Sequence, residues 1–347
     1  MNVPKELLNE PTPFLICSKE LLRKAVSQLR ELGAQINYSV KTNPSPELLG
    51  LLVSEDVGFS VSSTKDLEFI LKFGADPQKI IYHERALSMG KIDETYKNCS
   101  AFVADNAGSA MNALKALQSG DLIILRMKAS CSQTAYSGDY QPGMDKDTLL
   151  EFAQKAKAKS IKVGILHHSS SQIDTTNAWS KKFKEILDIC AEFDFDVVDM
   201  GGGFPVAYAN QDYSQLFKTI SVGIDQIKNK CSQVIIEPGR AIAATPCMLI
   251  TRVALLDGND VILDASLYNT HIDTIIAGIN LPCRSLKSGN AQIYRLLGSS
   301  LCNLDVFAKK VRLPELDKGD IVIFDNAGAY NFSSDFTPGT GIKIFVV

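Results

Sequence analysis

The chain has 347 residues, of which 45% are hydrophobic and 22% charged, with a formal net charge of −3. This is an ordinary globular balance, and it gives no reason to expect nucleic acid or an anionic membrane as the main partner. No run of about 18 apolar residues exists, which excludes an expected membrane-spanning helix.

The opening stretch MNVPKELLNEPTPF has acidic residues and no apolar signal core, so the default expectation is a cytoplasmic protein. TPFLICS (12–18) reads as a strand that could join others from the far end of the chain. From residue 19 to about 245 short β-branched runs alternate with longer segments of helical spacing. The runs are INYSVK (36–41), VGFSV (57–61), KIIYH (79–83), SAFVAD (100–105), LIILRM (122–127), IKVGIL (161–166), DVVDM (196–200) and QVIIEP (233–238). Eight strand-like runs, each followed by a helix-like segment, predict an α/β fold: a (β/α)8 barrel of the TIM type closed by right-handed crossovers. An open, doubly wound sheet is the structural alternative.

Beyond residue 245 the pattern changes to strands joined by turns, as in VALLDGNDVILDASLY, KGDIVIFDNAGAY and GIKIFVV. The expected organisation is a barrel at 19–245 and a β-sandwich or β-barrel domain made from 1–18 and 246–347. The eight cysteines (Cys17, Cys99, Cys131, Cys190, Cys231, Cys247, Cys283 and Cys302) are scattered and contain no CxxC pair. Neither a disulfide framework nor a zinc site is expected. Each cysteine reads as a small buried hydrophobe.

Several motifs follow one another in a recognisable order: TPF (12–14), YSVKTNP (38–44), FSVSSTKDL (59–67), HHSSSQ (167–172), DMGGGFP (199–205), EPGR (237–240), CNLD (302–305) and AGAY (327–330). In that order and spacing, nearly end to end, the chain resembles the fold-type III pyridoxal-phosphate decarboxylases. That group contains the ornithine, arginine and diaminopimelate decarboxylases. The resemblance implies a barrel with a C-terminal β-domain, pyridoxal 5′-phosphate as cofactor, and an amino acid as small-molecule substrate. It also implies a homodimer whose active sites are shared between subunits.

Lys41 stands at the end of the first barrel strand, where a lysine amine would point into the barrel mouth and could hold the cofactor aldehyde as a Schiff base. GGGFP follows the seventh strand, and its consecutive N–H groups can hold a phosphate. The resemblance places Gly202, Gly203, Gly239 and Arg240 around that phosphate, together with Ser171 and Tyr330. It assigns Glu237 to the pyridine nitrogen, where a carboxylate keeps the ring protonated. It also assigns His168 to stacking on the ring, Arg126 to the pocket wall, and Asp66 to a place near the cofactor where relatives have glutamate. His167 matches a position without such a role. Cys302 is the expected proton donor to Cα, acting in the neighbouring subunit, and Asp305 the expected substrate contact.

The chain departs from the family pattern at several points. Relatives read G-x-x-C-x-x-x-D, whereas here Gly298 to Asp305 keeps the spacing but places Leu301 at the cysteine position and Cys302 one residue later. Ser60 replaces the usual aspartate of F-D-x-A-S, and Ser170 replaces a glycine of H-x-G-S. HERALS (83–88) differs from the H-G-N-x-K-S of diaminopimelate decarboxylases. TIIAGIN (274–280) lacks the acid that ornithine decarboxylases place there for the distal amine. The resulting expectation is an unusual or conjugated amino acid as substrate, as in siderophore or other secondary metabolism. Two alternatives stay open: a racemase on the same scaffold, and a cofactor-binding storage or regulatory protein without decarboxylase activity.

Overall fold

The computed structural model describes residues 1–130, 141–331 and 342–347. Cys131, one of the eight cysteines, lies outside them. The first strand, β1 (Phe14–Cys17), precedes a set of eight parallel strands closed into a barrel. These are β2 (Gln35–Ser39), β3 (Gly58–Val61), β4 (Ile80–His83), β5 (Ala101–Ala104), β6 (Leu122–Arg126), β7 (Lys162–Leu166), β8 (Val197–Asp199) and β9 (Gln233–Ile236). Closure is made by β2 against β9, with Gln35 opposite Ile235 and Ile36 opposite Ile236. All eight expected runs are strands, and the expected barrel is the observed one.

The strands are nearly continuous apolar runs because both faces are covered, one by the barrel interior and one by helices. Ile81, Ala101, Val103, Ile124, Leu166, Val197 and Ile235 pack together as one core cluster. The helices that cover the outside are stopped and started by local chemistry. Ser63 caps the helix Thr64–Lys72, its hydroxyl accepting from the Asp66 N–H at 3.1 Å. Thr175 does the same for the helix Thr176–Cys190 through the Ala178 N–H at 3.3 Å. Each such cap satisfies a backbone donor that the helix itself cannot. Among the described residues no helix is long and apolar enough to cross a membrane.

The chain divides into two compact units: residues 26–205 with 212–239, which hold the barrel, and residues 1–25, 206–211 and 240–347. The second unit is a mostly antiparallel sheet. Its strands are β1 together with β10 (Cys247–Asp257), β11 (Asp260–Leu263), β12 (Cys283–Ser285), β13 (Ala291–Leu297), β14 (Val306–Pro314), β15 (Ile321–Phe324) and β16 (Lys343–Val346). β1 lies between β10, antiparallel, and β16, parallel, so the expectation that TPFLICS joins the C-terminal strands holds. The core of this unit includes Leu249, Val253, Leu263, Tyr294, Leu296, Phe307, Val322 and Phe324.

One cysteine expectation is corrected. Cys17 and Cys247 are directly opposite in the β1–β10 ladder and form a disulfide across 230 residues of sequence. The pairing follows from strand register, which cysteine spacing does not reveal. Cys99 and Cys190 are buried free thiols, as expected, whereas Cys231, Cys283 and Cys302 are only partly buried.

Candidate active site

The barrel strands end at one mouth, where most of the expected site residues stand. Lys41 is not in β2 but just past it, in a single 3-10 turn, Val40–Thr42. Two anchors fix the chain after that turn. The Tyr38 hydroxyl donates to the Asn43 carbonyl at 3.1 Å, and the Ser45 N–H donates to the Asn43 side chain at 3.0 Å. The Ser39 N–H also reaches the Pro238 carbonyl at 3.3 Å. The lysine turn therefore lies directly against the EPG turn. Gly239 makes the approach possible, since a Cβ there would fall 2.0 Å from the Thr42 hydroxyl.

Glu237 is buried at the end of β9. Its Oε1 accepts from the Ser60 hydroxyl and lies 2.7 Å from His83 Nε2. Among the described residues nothing donates to Oε2. Burial pushes this carboxyl up, but chiefly the His83 charge and the contacts from His83 and Ser60 outweigh it and hold the group at about 2. Glu237 is therefore an ionised carboxylate with one oxygen clamped and the other open.

The glycine loop follows β8. The Gly201 N–H donates to Asp199 Oδ1 at 2.7 Å, and the Gly202 N–H donates to His168 Nδ1 at 3.0 Å. The Glu237 N–H in turn donates to the Gly201 carbonyl at 2.9 Å, which ties this loop to the strand carrying the carboxylate. The Gly202 N–H is thus taken by His168, so within the triplet the Gly203 N–H is the donor with no acceptor among the described residues. Because its Nδ1 is an acceptor, His168 carries its ring proton on Nε2. Burial, then the charges of Arg126 and Lys41, hold its pKa well below the usual histidine range. His168 is therefore a neutral ring, and Arg126, at the end of β6, is close enough to act on it electrostatically. His167 faces elsewhere: it is buried, with Nε2 2.8 Å from Glu185 Oε2, in keeping with a structural role. Ser171 follows His168 on the loop after β7.

Asp66 sits in the first turn of its helix, and its carboxylate accepts from the Ser62 N–H at 3.2 Å and the Ser62 hydroxyl at 3.1 Å. It closes a turn and does not join the Glu237 network.

The remaining expected residues belong to the second unit. The Arg240 guanidinium pairs with Asp273 at 2.5 Å, donates to the Tyr208 hydroxyl at 3.0 Å, and lies 5.0 Å from the centre of the Tyr330 ring. Arg240 and Tyr330 are thus neighbours, and the arginine already has an anionic partner, buried Asp273. Asp305 is buried, and its two oxygens accept from the Leu267 N–H at 2.8 Å, the Ser300 N–H at 3.0 Å and the Ser300 hydroxyl at 2.6 Å. These bonds tie the loop that carries Cys302 to the start of the short helix at Leu267. Gly298 is required beside it, because a Cβ there would fall 2.1 Å from Asp305 Oδ1. The same loop leaves Leu301 fully exposed and turns Cys302 Sγ to within 3.0 Å of the Tyr268 hydroxyl. That contact pushes the Tyr268 pKa up.

Three participants were not singled out from sequence: His83, Tyr268 and a buried lysine, Lys182. His83 had a signal, since it ends a barrel strand and so faces the mouth.

With this geometry in view, the comparisons are decisive. The pyridoxal-binding domain of the pyridoxal-dependent decarboxylases matches residues 18–244. The chain belongs to that family. Its cofactor is pyridoxal phosphate. The lysine/ornithine decarboxylase of Selenomonas ruminantium is 27% identical over 92% of this chain and 85% of its own length. Antizyme inhibitor 2 of Xenopus laevis is 23% identical over 93% of this chain and 80% of its own. The arginine decarboxylase of Paramecium bursaria Chlorella virus superposes with a TM-score of 0.86 at 20% identity, covering 97% of this chain and 96% of that one. This last likeness establishes the shared fold.

The barrel residues fit the cofactor. They offer an amine on a fixed turn, an ionised carboxylate with one open oxygen, a neutral ring, and a loop N–H without an acceptor. These four groups match, respectively, an aldehyde, a protonated pyridine nitrogen, an aromatic face and a phosphate.

Proposed function

We propose that this chain removes the α-carboxylate of an amino acid, with Lys41 binding the cofactor aldehyde and Glu237 facing the ring nitrogen. The observation that carries the reading is the Glu237 arrangement: held ionised by His83 and Ser60 on Oε1, with Oε2 open. Pyridoxal phosphate supplies a ring that accepts the electron pair left on Cα when carbon dioxide departs. The protein's share is to hold a proton at the ring nitrogen through Glu237, to present the neutral His168 ring, and to bind the phosphate with Gly203, Gly239, Ser171, Arg240 and Tyr330. Arg126 lines the wall. Cys302 returns a proton to Cα in a second copy of the chain, within a homodimer, and the adjacent Tyr268 hydroxyl supports that assignment.

The substrate we infer is an unusual or conjugated amino acid. The TIIAGIN segment carries no acid, and Asp273 just before it is paired with Arg240. A pocket for a free ammonium without a carboxylate would leave that charge unpaired at a cost of several kcal/mol. Carbon dioxide release from ornithine, lysine, arginine and diaminopimelate tests this. Efficient turnover of any of the four sinks the unusual-substrate reading but leaves decarboxylation intact.

A second reading, a cofactor-binding regulator without turnover, is favoured by the fully exposed Leu301 at the usual cysteine position. One relative is named as an inhibitor protein rather than an enzyme. Cofactor binding without carbon dioxide release from a broad amino-acid panel, conjugates included, would select it.

A further inference from the structure

On the far side of the glycine loop lies a charged group that none of the roles above uses. Lys182 is on the helix Thr176–Cys190 and is buried, while its neighbours Lys181 and Lys184 are exposed. Its amine donates to the Gly202 carbonyl at 3.2 Å and lies 4.6 Å from the centre of the Trp179 ring. Those two contacts compensate a buried ammonium poorly. The carboxylates whose charge reaches it are Asp199 and Glu237, and it acts in turn on His168. Asp199 Oδ2 is buried without a hydrogen-bond partner. Burial brings the Lys182 amine down to about 7, so its charge responds to its surroundings near neutral pH.

The Gly202–Gly203 peptide links this lysine to the cofactor side. In a planar trans peptide the C=O and the following N–H point in opposite directions. A hydrogen bond that draws the Gly202 carbonyl toward the helix therefore aims the Gly203 N–H away from it. That N–H is the one in the triplet with no acceptor among the described residues.

We propose that Lys182 is a positioning residue for the cofactor phosphate: it fixes the peptide that presents the Gly203 N–H and sets a buried positive charge behind the loop. The proposal rests on the reading of this loop as the phosphate cradle. It is tested with full-length protein stripped of cofactor and titrated with pyridoxal phosphate and with pyridoxal, which lacks only the phosphate. Lys182→Met and Lys182→Gln should bind pyridoxal phosphate about tenfold more weakly, the scale of one lost charge contact, and bind pyridoxal as the wild type does. Lys182→Arg should keep most of the wild-type preference. Equal loss for both probes, or no loss for pyridoxal phosphate, overturns the proposal. A wild type that does not prefer the phosphorylated probe overturns the cradle reading itself and the proposal with it.

If the neutral variants do not fold, wild-type protein labelled with nitrogen-15 and titrated with sulfate answers the question, with Lys182→Arg assigning the amine signal. Sulfate should shift the Gly203 N–H and the Lys182 amine together and saturably. Sulfate binding that leaves either signal unmoved, or no sulfate binding, overturns the proposal.

Discussion

Replacing His83 with glutamine removes the group whose charge does most to hold Glu237 ionised. In the folded wild type the Glu237 carboxyl lies at about 2, against an ordinary value of 4.5. A depression of that size corresponds to roughly 3 kcal/mol of stability. Because the folded value is the lower one, this stability is fully present above pH 4.5 and is lost as the pH falls toward 2. In His83→Gln burial is opposed chiefly by the Ser60 hydroxyl alone, so the Glu237 pKa rises. The variant should therefore be less stable than wild type above pH 4.5, by up to roughly 3 kcal/mol, with the gap closing steadily as the pH falls below that value. Urea unfolding of cofactor-free protein at a series of pH values between 7 and 3 measures this. The control is the same substitution in a Glu237→Gln background, where the gap should fall below about 0.5 kcal/mol at every pH. A gap that is constant across the pH range, or that survives in the Glu237→Gln background, refutes the reasoning and leaves His83 as a packing residue.

Gly298→Ala places a methyl about 2.1 Å from Asp305 Oδ1, and overpacking of this kind should cost about 1–3 kcal/mol, read as a lower urea midpoint. Loss of the Asp305 hydrogen bonds in the same variant should free the loop that carries Cys302, so kcat should fall further than cofactor affinity. Cys302→Ala should lower kcat by about 10²–10⁴-fold if its thiol is the general acid, while cofactor binding by absorbance stays unchanged. An unaltered kcat would move proton donation to another group. Tyr268→Phe removes only the hydroxyl beside Cys302 Sγ and should shift the pH profile of kcat more than KM. An unshifted profile would leave Tyr268 without a part in proton transfer.

The barrel was legible in the sequence because its strands are covered on both faces and so stand out as eight apolar, β-branched runs. Lys41, Glu237 and His168 were legible because each sits on a short motif at a strand end, and the structure brings Lys41's turn, the Glu237 strand and His168 to one mouth. What stayed hidden depends on contacts between distant segments. His83 and Ser60 meet on Glu237 Oε1 from two other strands. The Cys17–Cys247 disulfide depends on the register of two strands 230 residues apart. Lys182 lies on the apolar stripe of its helix with Trp179, Phe183 and Ile186, but a lysine at such a place ordinarily carries its charged end out to water, and only the fold shows that this one is buried. The motif marks Asp305, but its hydrogen bonds to the Leu267 and Ser300 N–H groups are a property of the folded loop.

The claim at the centre of this account is that Lys41 is the amine that bonds the cofactor. Borohydride reduction of the yellow holoprotein, followed by peptide mass mapping, tests it in one measurement. The account predicts a single phosphopyridoxyl adduct, on Lys41, which is absent from Lys41→Ala. An adduct on any other lysine, including buried Lys182 beneath the glycine loop, would contradict it, as would a protein that binds the cofactor and yields no adduct at all.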